Sequence, residues 1–595
     1  MTTPLCRGQF RSVLADPIRA VDQATSLPTL VLLQAERLGS RPAVRFKRHG
    51  WWQDWSWEDL SERMLAVAIA LLADGIQPGD RIGLWSENRP EWLLADLGIL
   101  AAGGVSVPAH APLPAKQVVA QFEHAQVRLV IVSNAASAEA LADWARQTQP
   151  PRKIVCFSET PRRVAEHWSV LVSRGWQQRS RFFSELARRI ADLQQDTLAT
   201  IMYTSGTTGD CKGVMLTHGN LLSNALAMLE SVNLGPHTVV LSWLPYSHIY
   251  GRLVDYYLSL AGGFLLVLAD SVDNLVEDLQ LVQPTSFAAV PRVYEKILAA
   301  CRHHDPDQQR RRLRQVFGAR IERLNSGGAP LPVAICRAYW DAGLPLLQGY
   351  GLTETSPVVS FNRLEQNRIG TVGQALPGVE IRIAEDGEIL VRGPNVTPGY
   401  WRNPEATQQA LADGWFHTGD LGFLDADGFL TITGRKKDML VLSNGKKVVP
   451  TELESLLLAS PHIEQAVIHG DGKNYLTALI VPRRDTLQQL AQQHGLMKLP
   501  PEQLVQHPAV QQFFRQELDR LLVHQPPWEQ IRKFVLLPQP FRVEAEELTV
   551  SLKIRRQFVL NKYRPLLDAL YSESPGPQVE TSPESPGVDA GGGFA

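Results

Sequence analysis

Apolar and polar positions in the first part of the chain repeat with helical and strand periods in turn. From Ser56 to Leu72 apolar residues recur at three- and four-residue spacing, and Gly75 follows, which predicts a helix. Pro90 to Ala102 predicts a second helix, with proline at its start and paired glycines after its end. Short apolar runs predict strands at Arg81–Trp85, Val105–Pro108 and Val127–Val132. Strands that alternate with helices in this way are typical of a parallel sheet covered by helices.

The pattern changes twice further along the chain. Residues 158–195 predict helix and loop, 220–232 predicts a helix, and 303–314 is polar enough to be a solvated surface. From Gly373 to Arg392 short strands and turns take over. Near Gly434 a new unit begins, with helices predicted at 451–458, 484–494 and 508–523 and strands at 465–469 and 476–481.

These changes predict an α/β protein with two domains. We expect an irregular segment at 1–27, a large domain at 28–434 and a smaller mobile α+β domain at 435–570. The large domain should contain parallel or mixed sheets covered by helices, plus a small β-rich subdomain. Residues 571–595 are rich in Ser, Pro, Gly and Glu, and we expect them to be disordered.

Composition excludes several classes of protein. A chain of 595 residues needs more than one core, and a net charge of −2 gives no reason to expect nucleic acid. The five cysteines are odd in number and scattered without metal-ligand spacing, which favours a reduced cytoplasmic protein. No apolar run is long enough to span a bilayer and no signal-peptide core is present, so we expect no transmembrane segment. Peripheral contact at the inner membrane face stays open.

The most informative stretch runs from Tyr203 to Leu216. It combines glycines and one lysine with four hydroxyl residues between two apolar runs, which predicts a strand, a polar loop and a second strand. The residues that suit an anion such as phosphate are Thr204, Ser205, Gly206, Thr207, Thr208, Gly209 and Lys212. A plain surface turn would rarely need so many hydroxyls. A Walker A loop is excluded because Lys212 precedes a glycine and a β-like run instead of Ser or Thr and a helix.

A second polar motif is Gln348 to Thr355. Tyr350 lies between glycines, including Gly351, and its ring can stack on a base. Thr353 can reach phosphate, and Glu354 offers an oxygen ligand for Mg²⁺. Taken alone, the motif reads equally well as a strand end with a capping threonine.

Five further segments carry weaker signals. Each has an ordinary alternative: a helix entry for Gly328 and Ala329, a β-turn for Asp420, a charged linker for Arg435 and Lys437, a solvated basic face for Lys553, and a structural role for His248.

The loop at 203–214 resembles the phosphate-binding signature of the AMP-forming (adenylate-forming) acyl-CoA synthetases. That signature usually reads Tyr-Thr-Ser-Gly-Thr-Thr-Gly-x-Pro-Lys-Gly-Val, and here Cys211 replaces the proline. The other motifs follow in family order from about residue 29 to 570. Pro245-Tyr-Ser-His and Val290-Pro-Arg-Val-Tyr favour the long-chain fatty-acyl branch, in which CoA ligases and acyl-ACP synthetases are the two candidates.

The resemblance implies a role for each motif. Gly328 and Ala329 would lie beside the adenine and the acyl group, Asp420 would bind the ribose, and Arg435 would contact the nucleotide. Thr204 and Glu354 would hold Mg²⁺, and Lys437 would be the hinge of the small domain. Lys553 would be the catalytic lysine, although Val550-Ser551 departs from the usual Pro-Thr before it. His248 would lie near the acyl pocket.

The implied reaction has two steps. ATP and a long-chain fatty acid would give acyl-AMP and pyrophosphate, and coenzyme A would then accept the acyl group after rotation of the small domain. The phosphopantetheine arm of acyl carrier protein is the alternative acceptor, because it presents the same thiol. A non-catalytic acyl-nucleotide-binding protein is the alternative of another class, and Glu354, Asp420 and Lys553 argue against it.

Overall fold

The computed structural model describes residues 21–204, 212–232, 234–542, 545–549 and 554–572. These form two compact units. The first holds the described residues up to Met439 with Leu548 and Thr549, and the second holds those of Leu440–Glu547 and those from Ile554 onward.

The strands of the first unit form three sheets. In chain order they are β1 (Pro42–Arg48), β2 (Trp51–Ser56), β3 (Arg81–Trp85), β4 (Val105–Ala109), β5 (Leu129–Val132), β6 (Lys153–Cys156), β7 (Glu166–His167), β8 (Leu198–Thr204), β9 (Lys212–Thr217), β10 (Val239–Ser242), β11 (Leu265–Leu268), β12 (Ser286–Ala289), β13 (Arg323–Ser326), β14 (Leu346–Gly351), β15 (Val358–Phe361), β16 (Gln374–Ala375), β17 (Glu380–Ile383), β18 (Glu388–Arg392), β19 (Gly399–Tyr400), β20 (Phe416–Leu424) and β21 (Leu430–Arg435).

The two large sheets are parallel in their middle and antiparallel at edges. Within the described residues the orders are β16-β15-β14-β13-β12-β10-β11-β1-β2 and β19-β9-β8-β4-β3-β5-β6-β7. The pairs β8·β9, β9·β19, β14·β15, β15·β16 and β1·β2 are antiparallel. A third sheet, β17-β18-β20-β21, is antiparallel throughout and corresponds to the predicted β-rich stretch.

Helices cover both large sheets. They are α1 (Leu27–Leu38), α2 (Trp57–Ala73), α3 (Pro90–Ala101), α4 (Ala115–His124), α5 (Ala135–Arg146), α6 (Trp168–Gln177), α7 (Arg179–Asp192), α8 (His218–Val232), α9 (Leu258–Gly262), α10 (Leu275–Val282), α11 (Pro291–Ala300), α12 (Pro306–Phe317), α13 (Val333–Asp341) and α14 (Pro404–Ala410). Short 3₁₀ turns lie at Val21–Gln23, Thr353–Thr355, Ala412–Gly414 and Lys436–Asp438, and a π-helix spans Gly251–Tyr257.

The predicted helix from Ser56 is confirmed as α2, and its start has a clear local cause. The Ser56 hydroxyl accepts a hydrogen bond from the Asp59 amide at 3.0 Å, and the Asp59 carboxylate accepts one from the Ser56 amide at 3.0 Å. This capping box satisfies two amides that the first turn leaves without helical partners.

The structure adds detail to two sequence predictions. Leu27 begins α1, because Ser26 caps that helix through the Thr29 amide, and this start lies one residue before the predicted start of the large domain at 28. The polar stretch 303–314 lies on the surface, as predicted, and most of it belongs to the helix α12, which turns Leu313 and Phe317 inward. Residues 573–595 lie outside the described residues.

A buried ion pair joins the π-helix to α3, and its arginine also contacts the strand that leads into the polar loop. The side chains of Arg252 and Asp96 pair directly, and neither has any exposed surface. Arg252 also donates to Thr200 Oγ1 on β8 at 2.9 Å, and the Tyr257 hydroxyl donates to Asp96 Oδ2 at 2.8 Å. Because every charged atom needs a partner at this depth, these contacts fix β8 against α3.

The second unit is a small α+β structure. Its strands are β22 (Leu440–Val441), β23 (Lys447–Val448), β24 (Ile463–His469), β25 (Leu476–Pro482) and β26 (Ile531–Leu536), and its helices are α15 (Pro450–Leu458), α16 (Arg484–Gln493), α17 (Pro501–Leu504), α18 (Pro508–Leu521), α19 (Arg556–Lys562) and α20 (Arg564–Ser572), with a 3₁₀ turn at Pro527–Glu529. Helices and strands predicted from the sequence here are confirmed within a few residues. No helix in the described ranges combines the length and the apolar character that crossing a bilayer requires.

Candidate active site

The polar loop is closed by the hairpin β8–β9. Thr204 and Lys212 face each other as the last paired residues of the two strands. The predicted residues between them, Ser205, Gly206, Thr207, Thr208 and Gly209, lie outside the described residues, as does Cys211. The pairing of Thr204 with Lys212 therefore holds the two ends of the loop next to each other.

Tyr400 connects Lys212 to Glu354. The Lys212 Nζ lies 4.9 Å from the centroid of the Tyr400 ring, and the Tyr400 hydroxyl donates to Glu354 Oε1 at 3.0 Å. The pairing of β19 with β9 sets this position, since Tyr400 lies opposite Val214. Burial and then the Glu354 charge raise the pKa of Tyr400, which keeps its hydroxyl a donor.

Sequence reasoning missed Tyr400. Its only signal is the run Gly399-Tyr-Trp401, two aromatic residues after a glycine in a turn-rich stretch. The contact with Glu354 depends on a pairing between strands that are far apart in the sequence, and no local pattern encodes it.

The glycines of the motif at 348–355 are required by strand packing. A Cβ at Gly351 would lie 1.8 Å from the Pro357 carbonyl oxygen, and one at Gly349 would lie 2.7 Å from the Phe361 ring. These contacts place β14 tightly against β15 and hold Tyr350 between them. Thr353 and Glu354 then follow in a single 3₁₀ turn.

Asp420 is buried and accepts from two side chains. The Tyr350 hydroxyl donates to Oδ2 at 2.7 Å, and Arg435 Nε lies 2.9 Å from Oδ1. Asp420 and Arg435 are direct neighbours across β20 and β21, so the sheet register creates the ion pair. A carboxylate has about four acceptor positions, which leaves room for further donors such as ribose hydroxyls.

A cavity of about 290 Å³ opens beside this ion pair. It is lined by Thr418, Gly419, Arg435, Lys436 and Lys437. The pKa of Lys437 is lowered, first by partial burial and then by the charge of Arg435, with a smaller contribution from Lys212. Three cationic side chains thus line the cavity, and two of them already pair with carboxylates: Arg435 with Asp420, and Lys436 with Asp386 and Glu388.

The Asn325–Pro330 turn follows β13 and carries Gly328 with a φ of 80°, a conformation that favours glycine. A Cβ at Gly327 would lie 3.0 Å from Tyr250 Cζ, and one at Gly328 would lie 3.8 Å from Val290. The Tyr250 hydroxyl is 3.3 Å from the Asn325 carbonyl oxygen. The small residues here thus let the turn approach the Tyr250 ring.

His248 lies beside the same tyrosine. Its Nδ1 accepts from the Tyr250 amide at 3.2 Å, and its ring lies 6.2 Å from the His110 ring at an angle of 22°. His110 bonds Ser247 Oγ at 2.7 Å, and burial lowers its pKa to about 4. His110 was not predicted, although it follows a strand end, where parallel sheets commonly carry functional residues.

The structure brings seven of the predicted residues into three linked groups within the first unit. Lys212 and Glu354 share Tyr400, Asp420 joins Tyr350 to Arg435, and His248 approaches Gly328 through Tyr250. Ala329 follows Gly328 in the same turn. Strands β13 and β14 are parallel neighbours, and their carboxyl ends lead into these segments. Lys553 lies outside the described residues.

Comparisons with known proteins identify the family of this chain. The family model for the AMP-binding enzyme matches residues 32–401, and that for the AMP-binding enzyme C-terminal domain matches residues 437–575. The chain is 32% identical to the long-chain-fatty-acid–CoA ligase FadD15 of Mycobacterium bovis over 577 residues, covering 88% of this chain and 93% of that protein. It is 26% identical to the chloroplastic long-chain-fatty-acid–[acyl-carrier-protein] ligase AEE15 of Arabidopsis thaliana, with 92% of this chain and 87% of that protein covered.

A solved structure agrees with the fold. The crystal structure of ATP-bound MatB from Rhodopseudomonas palustris superposes with a TM-score of 0.70 at 25% identity, and the match covers 91% of this chain and 99% of that one. The chain belongs to the AMP-binding enzyme family of adenylate-forming proteins.

Proposed function

We propose that this chain is an ATP-dependent long-chain fatty acid–CoA ligase. The observation that carries the proposal is the convergence of four separate motifs: Lys212 meets Glu354 through Tyr400, and Asp420 meets Tyr350 and Arg435. The relative FadD15, named a long-chain-fatty-acid–CoA ligase, supports this class of substrate.

In the first step a carboxylate oxygen of the fatty acid attacks the α-phosphorus of ATP. A phosphorus–oxygen bond to the acyl group forms, the bond to the bridging oxygen breaks, and pyrophosphate leaves. Lys212 and Thr204 frame the loop that would hold the β- and γ-phosphates, with Ser205, Gly206, Thr207, Thr208 and Gly209 inside it. Positioning and charge neutralisation supply most of the catalysis in reactions of this kind.

The nucleoside would bind beside Asp420. The Asp420 carboxylate would accept from the ribose hydroxyls, and the Tyr350 ring would contact the base. Arg435 would contact the nucleotide, and the cationic cavity next to Arg435 and Lys437 supports an anion in this place. Gly328 and Ala329 would leave space for the ligand, and Gly351, packed against Pro357, would keep Tyr350 in place. Thr353 would bind phosphate, and His248 would line the acyl pocket.

Glu354 and Thr204 would hold Mg²⁺, which would supply charge neutralisation on the phosphates when it is bound with ATP. Tyr400 fixes the Glu354 side chain, so its hard oxygen ligand is already oriented. In the described ranges no cluster of three or more His, Cys, Asp and Glu side chains could hold a metal alone. The remaining ligands would therefore come from the nucleotide and from water.

In the second step a thiol sulfur attacks the acyl carbonyl carbon. The carbon–sulfur bond forms, the bond to AMP breaks, and the thiol proton passes to solvent. We propose that Lys553 serves the first step and that the smaller domain then turns at Lys437 and presents the loop Ser443–Lys447 for the second. Gly445 in that loop has a φ of 80°, and a Cβ there would meet no atom within 4 Å, which supports close approach by a thiol arm.

Acyl carrier protein is the second candidate acceptor, and the similarity to AEE15 favours keeping it. The test is ATP–pyrophosphate exchange with palmitate, followed by product analysis with coenzyme A and with holo acyl carrier protein. We expect exchange that needs the fatty acid and a thioester on coenzyme A. If a thioester forms on the carrier protein alone, the acceptor is acyl carrier protein and not coenzyme A. If no pyrophosphate exchange occurs, the proposed ligase function is wrong.

Measuring the two half-reactions separately tests the proposed roles of Lys553 and of the loop Ser443–Lys447. Lys553→Ala should lose exchange yet still transfer a supplied acyl-AMP to the thiol. Gly445→Trp should spare exchange and lose transfer, with Gly445→Asn as its control because asparagine tolerates a positive φ. Equal loss of both steps in Lys553→Ala and Gly445→Trp would contradict this division of roles.

A further inference from the structure

The hairpin β1–β2 has a tight turn, and two exposed tryptophans follow this turn on β2. Arg48 pairs with Trp51, so the turn contains only His49 and Gly50, whose φ values are 52° and 81°. Two successive positive φ values are typical of the tight type I′ turn, which matches the twist of the strands. The hairpin is therefore an ordered element and not a loose loop.

The outer half of β2 faces solvent on both sides. The four residues Trp51–Asp54 are all exposed, although neighbouring side chains of a strand point to opposite faces. Trp51 is 78% exposed, the highest value among the large apolar side chains in the described part of the chain, and Trp52 is 37% exposed. Further down, Trp55 packs on Phe46 with ring centroids 4.9 Å apart, which anchors the base of the hairpin in the core.

Other exposed apolar side chains lie on the adjoining helix. The ion pair between Lys47 and Asp278, at 2.7 Å, holds α10 against the hairpin. Val276 and Leu281 on this helix, and Val272 just before it, are 42%, 59% and 65% exposed. The helix next to the hairpin therefore also exposes apolar side chains.

The charges around the hairpin exclude a strongly anionic partner. Arg45, Lys47 and Arg48 each already pair with a carboxylate, those of Asp54, Asp278 and Glu91. Three further carboxylates on the helix side are exposed, those of Asp270, Asp273 and Glu277. An acidic protein or a nucleic acid would therefore find no excess of positive charge here.

We propose that this hairpin inserts its tip into the headgroup region of a lipid bilayer. Indole rings favour that region because one edge is apolar and the N–H can donate to lipid oxygens. In the described residues no protein group accepts a hydrogen bond from the Trp51 or Trp52 indole. The hairpin tip exposes one indole on each face of β2, which suits insertion among mobile lipid headgroups. The proposed fatty acid substrate also partitions into the bilayer. The inference rests on the proposed function only for this last point.

The test is flotation of the full chain with vesicles of zwitterionic phosphatidylcholine. We expect the wild type to float, with little change between low and high salt, because insertion and not charge drives binding. Trp51→Ser with Trp52→Ser should lower the partition coefficient by about tenfold or more. Trp51→Ser alone should cause part of that loss, and this exposed site can change without loss of folding, which the thermal midpoint verifies.

Trp528→Ser is the matched control. Trp528 is also 37% exposed and lies under a lysine, Lys446, at 4.6 Å, as Trp52 lies under Lys47 at 5.0 Å. This control should float like the wild type. Equal flotation of the double variant and wild type, no flotation of wild type, or flotation only with anionic lipid at low salt would each overturn the proposal.

Two further measurements separate the outcomes. Sedimentation would reveal a dimer that the double variant abolishes, and this result would assign the hairpin to a second copy of the chain instead. Pyrophosphate exchange with detergent-dispersed palmitate should be unchanged in the double variant. Failure of exchange in the wild type would reject the proposed function and leave the flotation result intact.

Discussion

The Tyr400 hydroxyl donates to Glu354 Oε1 at 3.0 Å while Lys212 lies over the face of the same tyrosine ring. One side chain thus positions a carboxylate proposed to hold Mg²⁺ and a lysine proposed to hold phosphate. It can do so because β19 pairs with β9 and brings Tyr400 opposite Val214. Tyr400 is a positioning residue, since it acts through its two neighbours.

Tyr400→Phe should slow pyrophosphate exchange about tenfold or more. The change removes one hydrogen bond to a charged group, worth about 1.5–3 kcal/mol, and keeps the ring under Lys212. The Mg²⁺ concentration for half-maximal exchange should rise, a shift that a purely structural role would not produce. Tyr400→Leu should slow pyrophosphate exchange further, because it also removes the cation–π contact with Lys212.

Tyr563→Phe is the control for Tyr400→Phe. It removes a similar hydroxyl, which donates to Glu547 Oε1 at 2.9 Å in the second unit. We expect no change in Mg²⁺ dependence for this variant. If both variants shift it equally, or if Tyr400→Phe matches the wild type, the positioning role is wrong.

Asp420→Asn should weaken AMP binding about tenfold or more. The amide keeps the shape of the side chain but loses the charge that pairs with Arg435 and offers a donor where Tyr350 donates. Calorimetric titration with AMP measures the effect. Asp54→Asn is the control, because it removes an exposed partner of Arg45 elsewhere in the same unit. Unchanged AMP affinity in Asp420→Asn would contradict the proposed ribose contact.

Local patterns predicted the elements and the polar motifs well. Ser56 and Gly75 bracket α2, and the hydroxyl-rich run lies between β8 and β9 as expected. Such features depend on neighbours in sequence, so periodicity and turn chemistry reveal them. The α/β fold class followed from the same alternation of strands and helices.

Contacts between distant strands could not be predicted. Tyr400 reaches Glu354 only because β19 pairs with β9, and His110 reaches Ser247 across 137 positions of sequence. The sequence shows Tyr350 between glycines, but it does not reveal that a Cβ at Gly351 would collide with the Pro357 oxygen. The helix α12 was not predicted either, because its sequence is mostly polar. Only Leu313 and Phe317 of this helix are buried, which is too few to give a helical apolar pattern.

Asp96→Ala should destabilise the first unit by about 3–5 kcal/mol. It leaves the fully buried Arg252 guanidinium without its carboxylate, and an unpaired buried charge is costly. Asp96→Leu with Arg252→Met should cost much less than the sum of the single changes, because no charge then stays buried. Thermal midpoints measure both effects. Additive losses would mean that the pair is not energetically coupled.

Asp255 should make the first unit less stable as pH rises. Its side chain has no exposed surface, Oδ2 accepts from Ser242 at 2.9 Å, and Oδ1 has no partner among the described residues. It borders a cavity of about 10 Å³ together with the likewise unpartnered Arg323 Nε and Asn325 Oδ1. Burial raises the pKa of Asp255 to about 8 from an ordinary 3.8.

The direction of the change in stability with pH follows from the pKa of Asp255 in the folded chain and its ordinary value in the unfolded chain. Between about pH 4 and pH 8 the unfolded chain has released this proton while the folded chain still holds it, so the free energy of unfolding falls by about 1.4 kcal/mol per pH unit. Asp255→Asn replaces the titrating carboxyl group with an amide that does not titrate and has nearly the same shape. From pH 5.5 to 7.5 the variant should gain about 3 kcal/mol relative to wild type, seen as a thermal midpoint difference that moves by several degrees. Asp54→Asn, at an exposed carboxylate, controls for charge removal, and a midpoint difference for Asp255→Asn that stays constant with pH would show that Asp255 is ionised in the folded protein.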